Sequence, residues 1–254
     1  TVLTTIAEQG KLEDELRKRI LACETKTELE DLYLPYKPKR RTRAMMAREK
    51  GLEPLAQRIL SQASEGTPSQ EASGFVSADK GVEDVEAALA GARDIVAEVV
   101  AETAEVRAMV RTFVAETGTM AAQPTKAAKE QRTKFEQYYD FSEPLKSIPS
   151  HRFLALRRGE REKMLRVKVD ADEATIVPRI ERSMHLDARS PWAPLLREAV
   201  ADSYNRLLSP AIENDMRLEL KQRADEAAVD VFAQNLRSLL LAAPLGSKSV
   251  VGID

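Results

Sequence analysis

Val82, Val85, Leu89, Ala92, Val96, Val99, Val106, Val110 and Phe113 recur at steps of three and four residues, apart from one longer step. That spacing is one face of an α-helix. A run this long constrains the rest of the chain, because its apolar stripe must be covered by other elements. A break near residues 101–103 divides it into two helices, and Gly118 closes the second. Shorter stripes flank it. Leu12, Leu16, Arg19 and Ile20 share a face of a first helix. Thr25 precedes a second, with Leu29, Leu32 and Tyr33 inward, which Pro35 and Pro38 end. Thr42 is placed to cap a third, carrying Met45, Met46, Leu52, Leu55, Ile59 and Leu60, with Gly51 and Pro54 as breaks.

Residues 61–81 hold Ser61, Ser64, Gly66, Thr67, Pro68, Ser69, Ser73 and Gly74, turn types that read as a linker. After Pro124 a helix is expected over 125–138. Ser150 would cap a short helix that Gly159 ends. Leu165, Val167 and Val169 alternate with Arg166 and Lys168, the period of a strand. A helix is expected over 191–207. Ser209 and Pro210 would then open a long helix to Leu241, with Ile212, Met216, Leu220, Ala224, Ala227, Val231 and Leu239 on its apolar face. Val250, Val251 and Ile253 read as the start of another strand. The expected class is mainly α, a multi-helical extended fragment with a minor β element near 164–170 and a truncated C-terminal strand. No tandem repeat of 20–50 residues is present, which argues against a regular solenoid.

Composition agrees with this class. Apolar residues make up 43% and charged residues 31% of the 254, a globular balance, and the common residues are strong helix formers. No apolar run reaches the roughly 18 residues of a membrane span. Cys23, the single cysteine, excludes an intramolecular disulfide and a four-cysteine zinc site. It is expected to pack in the first helical pair. His151 and His185 have no metal-ligand spacing, and no glycine-rich phosphate loop is present, so neither a metal nor a cofactor is expected. Trp192 is expected as a core anchor, with stacking on a base as the lesser alternative.

The net charge of −2 conceals blocks of opposite sign. Residues 61–120 carry 4 Lys+Arg against 11 Asp+Glu, whereas residues 121–170 carry 12 against 7. Two basic clusters are candidates for phosphate contact. One is the loop with Lys37, Lys39, Arg40, Arg41 and Arg43, beside Tyr33 and Tyr36, which could stack bases. The other comprises Arg152, Arg157, Arg158, Arg161, Lys163, Arg166 and Lys168. For both, a competing reading is that the cations pair with carboxylates of the same fold; for the second, a structural hinge between helical parts is a further alternative. The acidic block supplies partners for the first.

Three segments carry a resemblance. They are Glu24 to Thr42, reading ETKTELEDLYLPYKPKRRT; Phe141 to Arg152, reading FSEPLKSIPSHR, with ALRRGE at 155–160; and NLRSLLL at 235–241 with VVGID at the end. Together, and in this order, they resemble the Tex family of bacterial transcription accessory proteins, relatives of a eukaryotic elongation factor and histone chaperone. The resemblance implies an extended helical portion with a helix-turn-helix-like element. It also implies a YqgF-type RNase H-like domain, helix-hairpin-helix motifs and a C-terminal OB-fold RNA-binding domain. On that pattern residues 1–118 are an N-terminal-type helical domain and 119–246 a central helical region. Residues 247–254 would be the first strand of the RNase H-like domain, so the family's main binding residues correspond to no position here. Asp254 resembles that domain's first acidic residue, but one carboxylate cannot hold two metal ions. The expectation is a non-enzymatic, cytoplasmic scaffold whose partner is RNA or DNA. The alternative is a module that docks on the transcription machinery without touching nucleic acid. No membrane is implied.

Overall fold

The computed structural model describes residues 2–37, 41–244 and 246–252. The chain divides into two compact units. One comprises Thr1–Gly118 with Asp170–Asn214, the other Thr119–Val169 with Asp215–Asp254. The fold is mainly α, with one small sheet among the described residues. Among the described residues no helix is long and apolar enough to cross a membrane.

The first unit opens with α1 (Val2–Glu8), α2 (Asp14–Leu21) and α3 (Lys26–Tyr33). α3 begins with a complete capping box, the Thr25 hydroxyl accepting from Glu28 N while the Glu28 side chain reaches back to the Thr25 N–H, which satisfies two otherwise orphaned donors. A 3₁₀ turn at Leu34–Tyr36 follows. Thr42 Oγ1 then accepts from Met45 N and starts α4 (Arg43–Glu49). Gly51, at φ +83°, breaks the helix, and Pro54 sits in the first turn of α5 (Glu53–Leu60).

Residues 61–81, expected as a linker, instead carry α6 (Pro68–Ser73), with Ala72 fully buried. Trp192 explains why this stretch is held. It is wholly buried, and its indole N–H donates to the Glu65 carbonyl. The Arg58 guanidinium lies 5.6 Å from the ring centroid while gripping both oxygens of Glu71 at 2.7 Å. A single large aromatic thus organises a stretch whose composition alone suggests flexibility.

α7 (Val85–Glu102) and α8 (Ala104–Thr117) meet at Thr103, as the periodicity predicts. Gly118 ends α8 in extended backbone rather than the left-handed form. α7 is the centre of the unit, covered by α4, α5 and α6. Ala88, Ala92, Ile95, Val96, Ala97 and Val100 have no measurable exposure. Gly91 has a packing reason: a Cβ there would stand 2.4 Å from Leu52 Cδ1 and 3.4 Å from Ala47 Cβ. Two buried carboxylates cross-link the helices. Asp31 on α3 accepts from Arg107 Nε at 2.6 Å and from Arg111 at 2.7 Å, both on α8. Glu98 on α7 accepts from Arg48 on α4 at 2.6 Å.

The second unit holds the sheet, with strand order β2–β1–β3. β1 (Thr119–Pro124) pairs antiparallel with β2 (Phe141–Pro144), Thr119 opposite Pro144 and Ala122 opposite Phe141. Sequence periodicity found only β3 (Leu165–Asp170). The expected helix over 125–138 is reduced to α9 (Lys126–Lys129) and a 3₁₀ turn. Thr133 competes with helix formation there: its hydroxyl accepts from Phe135 N while Glu136 accepts from Thr133 N, a local alternative to helical bonding. α10 (Ser150–Arg161) also differs from expectation. Pro149 rather than Ser150 is its cap position, and Gly159 lies inside it. That glycine is buried against Leu165, so closely that a Cβ would stand 2.6 Å from Leu165 Cδ1.

The chain returns to the first unit with α11 (Glu173–Ser183) and α12 (Ala193–Asp202). A π turn at Ser203–Leu208 leads without a break into α13 (Ser209–Leu240). Ser209 is therefore helical and not a cap. Pro210 has no N–H and crowds the carbonyl four residues earlier. The widened π turn falls directly before it, where that conflict has to be absorbed. Ile212, Met216, Leu220 and Ala224 are buried as expected, but burial ends there. Val231 and Leu239 are 58% and 74% exposed. Val250 and Val251 form no strand and are exposed. The expected continuation at Ile253 lies outside the described residues.

Two substitutions test this packing. Gly91→Val should cost roughly 1–3 kcal/mol through overpacking against Leu52. Asp31→Ala, which strands two arginine charges, should cost about 3–5 kcal/mol. Urea unfolding measures both, and an unchanged midpoint for either would contradict the arrangement.

Candidate nucleic-acid interface

The first basic cluster sits where α3 gives way to α4. Gln9 Nε2 donates to the Tyr36 carbonyl at 2.8 Å and ties α1 to the loop. Lys37 is exposed and makes no ion pair among the described residues. Arg41 pairs with Glu49 at 2.7 Å, both side chains more than half exposed. Its partner is thus on the neighbouring helix and not in the acidic 61–120 block. Arg43 heads α4, exposed and without a direct ion pair among the described residues. Its charge is nonetheless felt by Asp94, whose carboxyl burial pushes up while Arg206 and Arg43 pull it down. Lys39 and Arg40 lie outside the described residues, as does Asp254.

Tyr36 and Lys37 border an open cleft of about 700 Å³. Its charged lining is mixed: Lys11, Lys37 and Arg48 face Glu53, Glu98 and Glu102. Arg48 is committed to Glu98 and Glu53, so the cleft does not present one sign of charge.

The second cluster is built on α10 and β3 in the second unit. Arg152 pairs with Glu143. Arg157 pairs with Glu160 at 2.6 Å, a carboxylate that Arg217 also engages at 2.9 Å. Arg158 pairs with Glu162 at 2.8 Å and Lys134 joins it at 3.0 Å. These two cations, Arg158 first, hold the Glu162 carboxyl below the usual carboxylate range. Arg166 and Lys168 point out from β3, opposite the buried Leu165 and Val167. Lys168 is already engaged. Arg161, Lys163 and Arg166 are exposed and carry no ion pair among the described residues. The cluster is thus mostly neutralised, with a cationic remainder at the α10–β3 turn.

That turn has defined geometry. Lys163 N donates to Glu160 O and Met164 N to Gly159 O, the two bonds of a Schellman ending. The left-handed position, where glycine is usual, is occupied by Lys163 at φ +60°. A side chain there costs roughly 1–2 kcal/mol. α9 is docked on the same turn. Thr125 N donates to Met164 O at 3.0 Å and Thr125 Oγ1 to Lys163 O at 2.9 Å. Lys126, Lys129 and Arg132 are thereby added to the cationic remainder, and all three are exposed. Sequence reasoning passed over them because they lay in an expected helix. The excess of cations in 121–170 was the available signal.

The sequence matches the family described as Tex central region-like over residues 63–232. It is 41% identical to Protein YhgF of Escherichia coli and 39% identical to the Transcriptional accessory protein Tex of Neisseria gonorrhoeae. Each alignment covers all of this chain and 34% of the relative. The S1 RNA-binding domain-containing protein 1 of Homo sapiens is 28% identical, with 26% of it covered. The chain thus spans about a third of the length of its bacterial relatives.

The Glu162 pairs predict a pH effect. A carboxyl with a lowered folded pKa adds stability that is fully present above the ordinary carboxylate range and is lost as pH falls through the lowered value. Glu162→Gln should therefore flatten the acid limb of a urea-midpoint-against-pH profile. Superimposable acid limbs for the two proteins would contradict the pairing.

Proposed function

The chain belongs to the Tex family, and we propose that it is the helical scaffold of a Tex-like transcription accessory protein that binds nucleic acid, its basic segments adding phosphate contacts. The observation that carries this reading is the uneven treatment of cations around α10 and β3. Arg152, Arg157 and Arg158 are neutralised by carboxylates of the same unit, whereas Arg161 and Arg166 are left exposed and without ion pairs among the described residues. Exposed cations of this kind displace counterions from a polyanion without reading its sequence. The names of two relatives, one transcriptional and one RNA-binding, support the same direction. In this role the chain positions nucleic acid in the cytoplasm and catalyses nothing.

A second reading draws on α13. Val229, Phe232, Leu239 and Leu240 are all more than 60% exposed, an apolar surface of the kind that marks protein contacts. On that reading the chain docks on the transcription machinery and leaves nucleic acid to other parts of the protein.

Salt-titrated fluorescence anisotropy with short RNA and duplex DNA separates the two. The first reading expects affinity that falls steeply with salt, and a slope reduced by about 1 for each phosphate-contacting cation removed in Arg41→Ala, Arg43→Ala and Arg166→Ala. Absence of binding at low salt removes it in favour of the second.

A further inference from the structure

We propose that Lys126, Lys129, Arg132, Arg161 and Lys163 form one contact surface for the phosphodiester backbone of a nucleic acid. The proposal rests on the nucleic-acid reading above and gives it a location that neither basic sequence cluster defines.

Three observations bring the five residues together. The two hydrogen bonds from Thr125 fix the start of α9 against the Lys163–Met164 backbone. The Gln131 amide reaches Met164 Sδ at 3.7 Å, which keeps the segment before Arg132 on the same turn. The far end of α9 is held by Tyr139, whose hydroxyl donates to the Ala128 carbonyl at 2.9 Å. Lys126 and Lys129 are three residues apart on this helical turn, a spacing that puts side chains on one face. The backbone under the cations is therefore tied at both ends before any ligand arrives, which lowers the ordering cost of binding.

The charge is available. None of the five makes an ion pair among the described residues. Nearby acids are largely engaged: Glu162 by Arg158 and Lys134, Glu160 by Arg157 and Arg217, Glu136 by Thr133 N. Glu130 and Asp140 are the exposed acids of residues 119–169 that remain, with no ion pair among the described residues.

One further feature favours a nucleic acid over an acidic protein. Within residues 119–169, which carry all five cations, no large apolar side chain is exposed among the described residues; the exposed apolar side chains of the same unit lie along α13 and beyond it. A protein interface would be expected to present an apolar centre, whereas a phosphate-binding surface needs only cations.

The test uses the whole chain and a fluorescein-labelled oligouridylate, with single-stranded DNA and duplex DNA as parallel arms. Lys126→Gln, Lys129→Gln and Lys163→Gln combined should weaken binding and reduce the log–log salt slope by about 2 on a single strand, roughly 0.7 per contact. Lys163→Gly alone should raise the melting temperature and still weaken binding, a pairing that damage to the fold cannot produce. A triple variant that binds like the parent overturns this surface and leaves the wider nucleic-acid reading standing. A parent chain that binds none of the three probes at low salt overturns both. Binding to polyglutamate that depends on the same three lysines overturns the nucleic-acid assignment in favour of an acidic protein.

Discussion

The first unit depends on enclosing α7. A helix covered on nearly every side cannot carry large side chains all round, because its neighbours must approach to within the 8–10 Å of ordinary helix packing. α7 answers with buried alanine at 88, 92, 97 and 101, and with glycine at 91 against Leu52. Its one buried charge, Glu98, is matched by Arg48, since an unmatched carboxylate would not be tolerated there. α8 follows the same logic at its contact with α3, where Asp31 is enclosed by two arginines. These ionic cross-links do not add much net stability against an apolar alternative, but breaking one half of either is costly. They therefore fix which helix faces which.

Burial decides which cations are available for anything else. Arg107 and Arg48 serve the interior and cannot be withdrawn without leaving a buried carboxylate. Arg41, Arg157 and Arg158 pair at the surface, where such bridges contribute about 0–1 kcal/mol. A polyanion could exchange with those carboxylates at little cost. Lys126, Lys129, Arg132, Arg161 and Lys163 need no exchange at all. The two sequence clusters are thus not equivalent to the surface the fold presents. The first borders a cleft of mixed charge. The second is largely neutralised within itself, and its free remainder acquires its neighbours from α9.

Much of the helical architecture was legible because its signals are local. Thr25, Thr42, Gly51, Pro54 and the break at Thr103 act within a turn of where they stand. The relatives and the family match agree with the resemblance carried by the three motif segments. What was not legible depends on distant partners. Residues 61–81 look like linker until Trp192 packs on them. Gly159 looks like a helix stop, but it is a contact with Leu165. β1 is a strand because β2 and β3 flank it, not because Thr-Met-Ala-Ala-Gln-Pro prefers to be one. The candidate surface was hidden for the same reason: Thr125 and Lys163 are 38 residues apart, and only folding makes them neighbours.

The most direct measurement is lysine acetylation of the whole chain, with and without saturating short RNA at low salt, read residue by residue by mass spectrometry. Lys126, Lys129 and Lys163 should become protected, while the exposed Lys11 and Lys18 of the first unit react as before. Protection of Lys11 and Lys37 with none at α9, or no protection anywhere, would contradict the assignment of phosphate contact to the turn between α10 and β3.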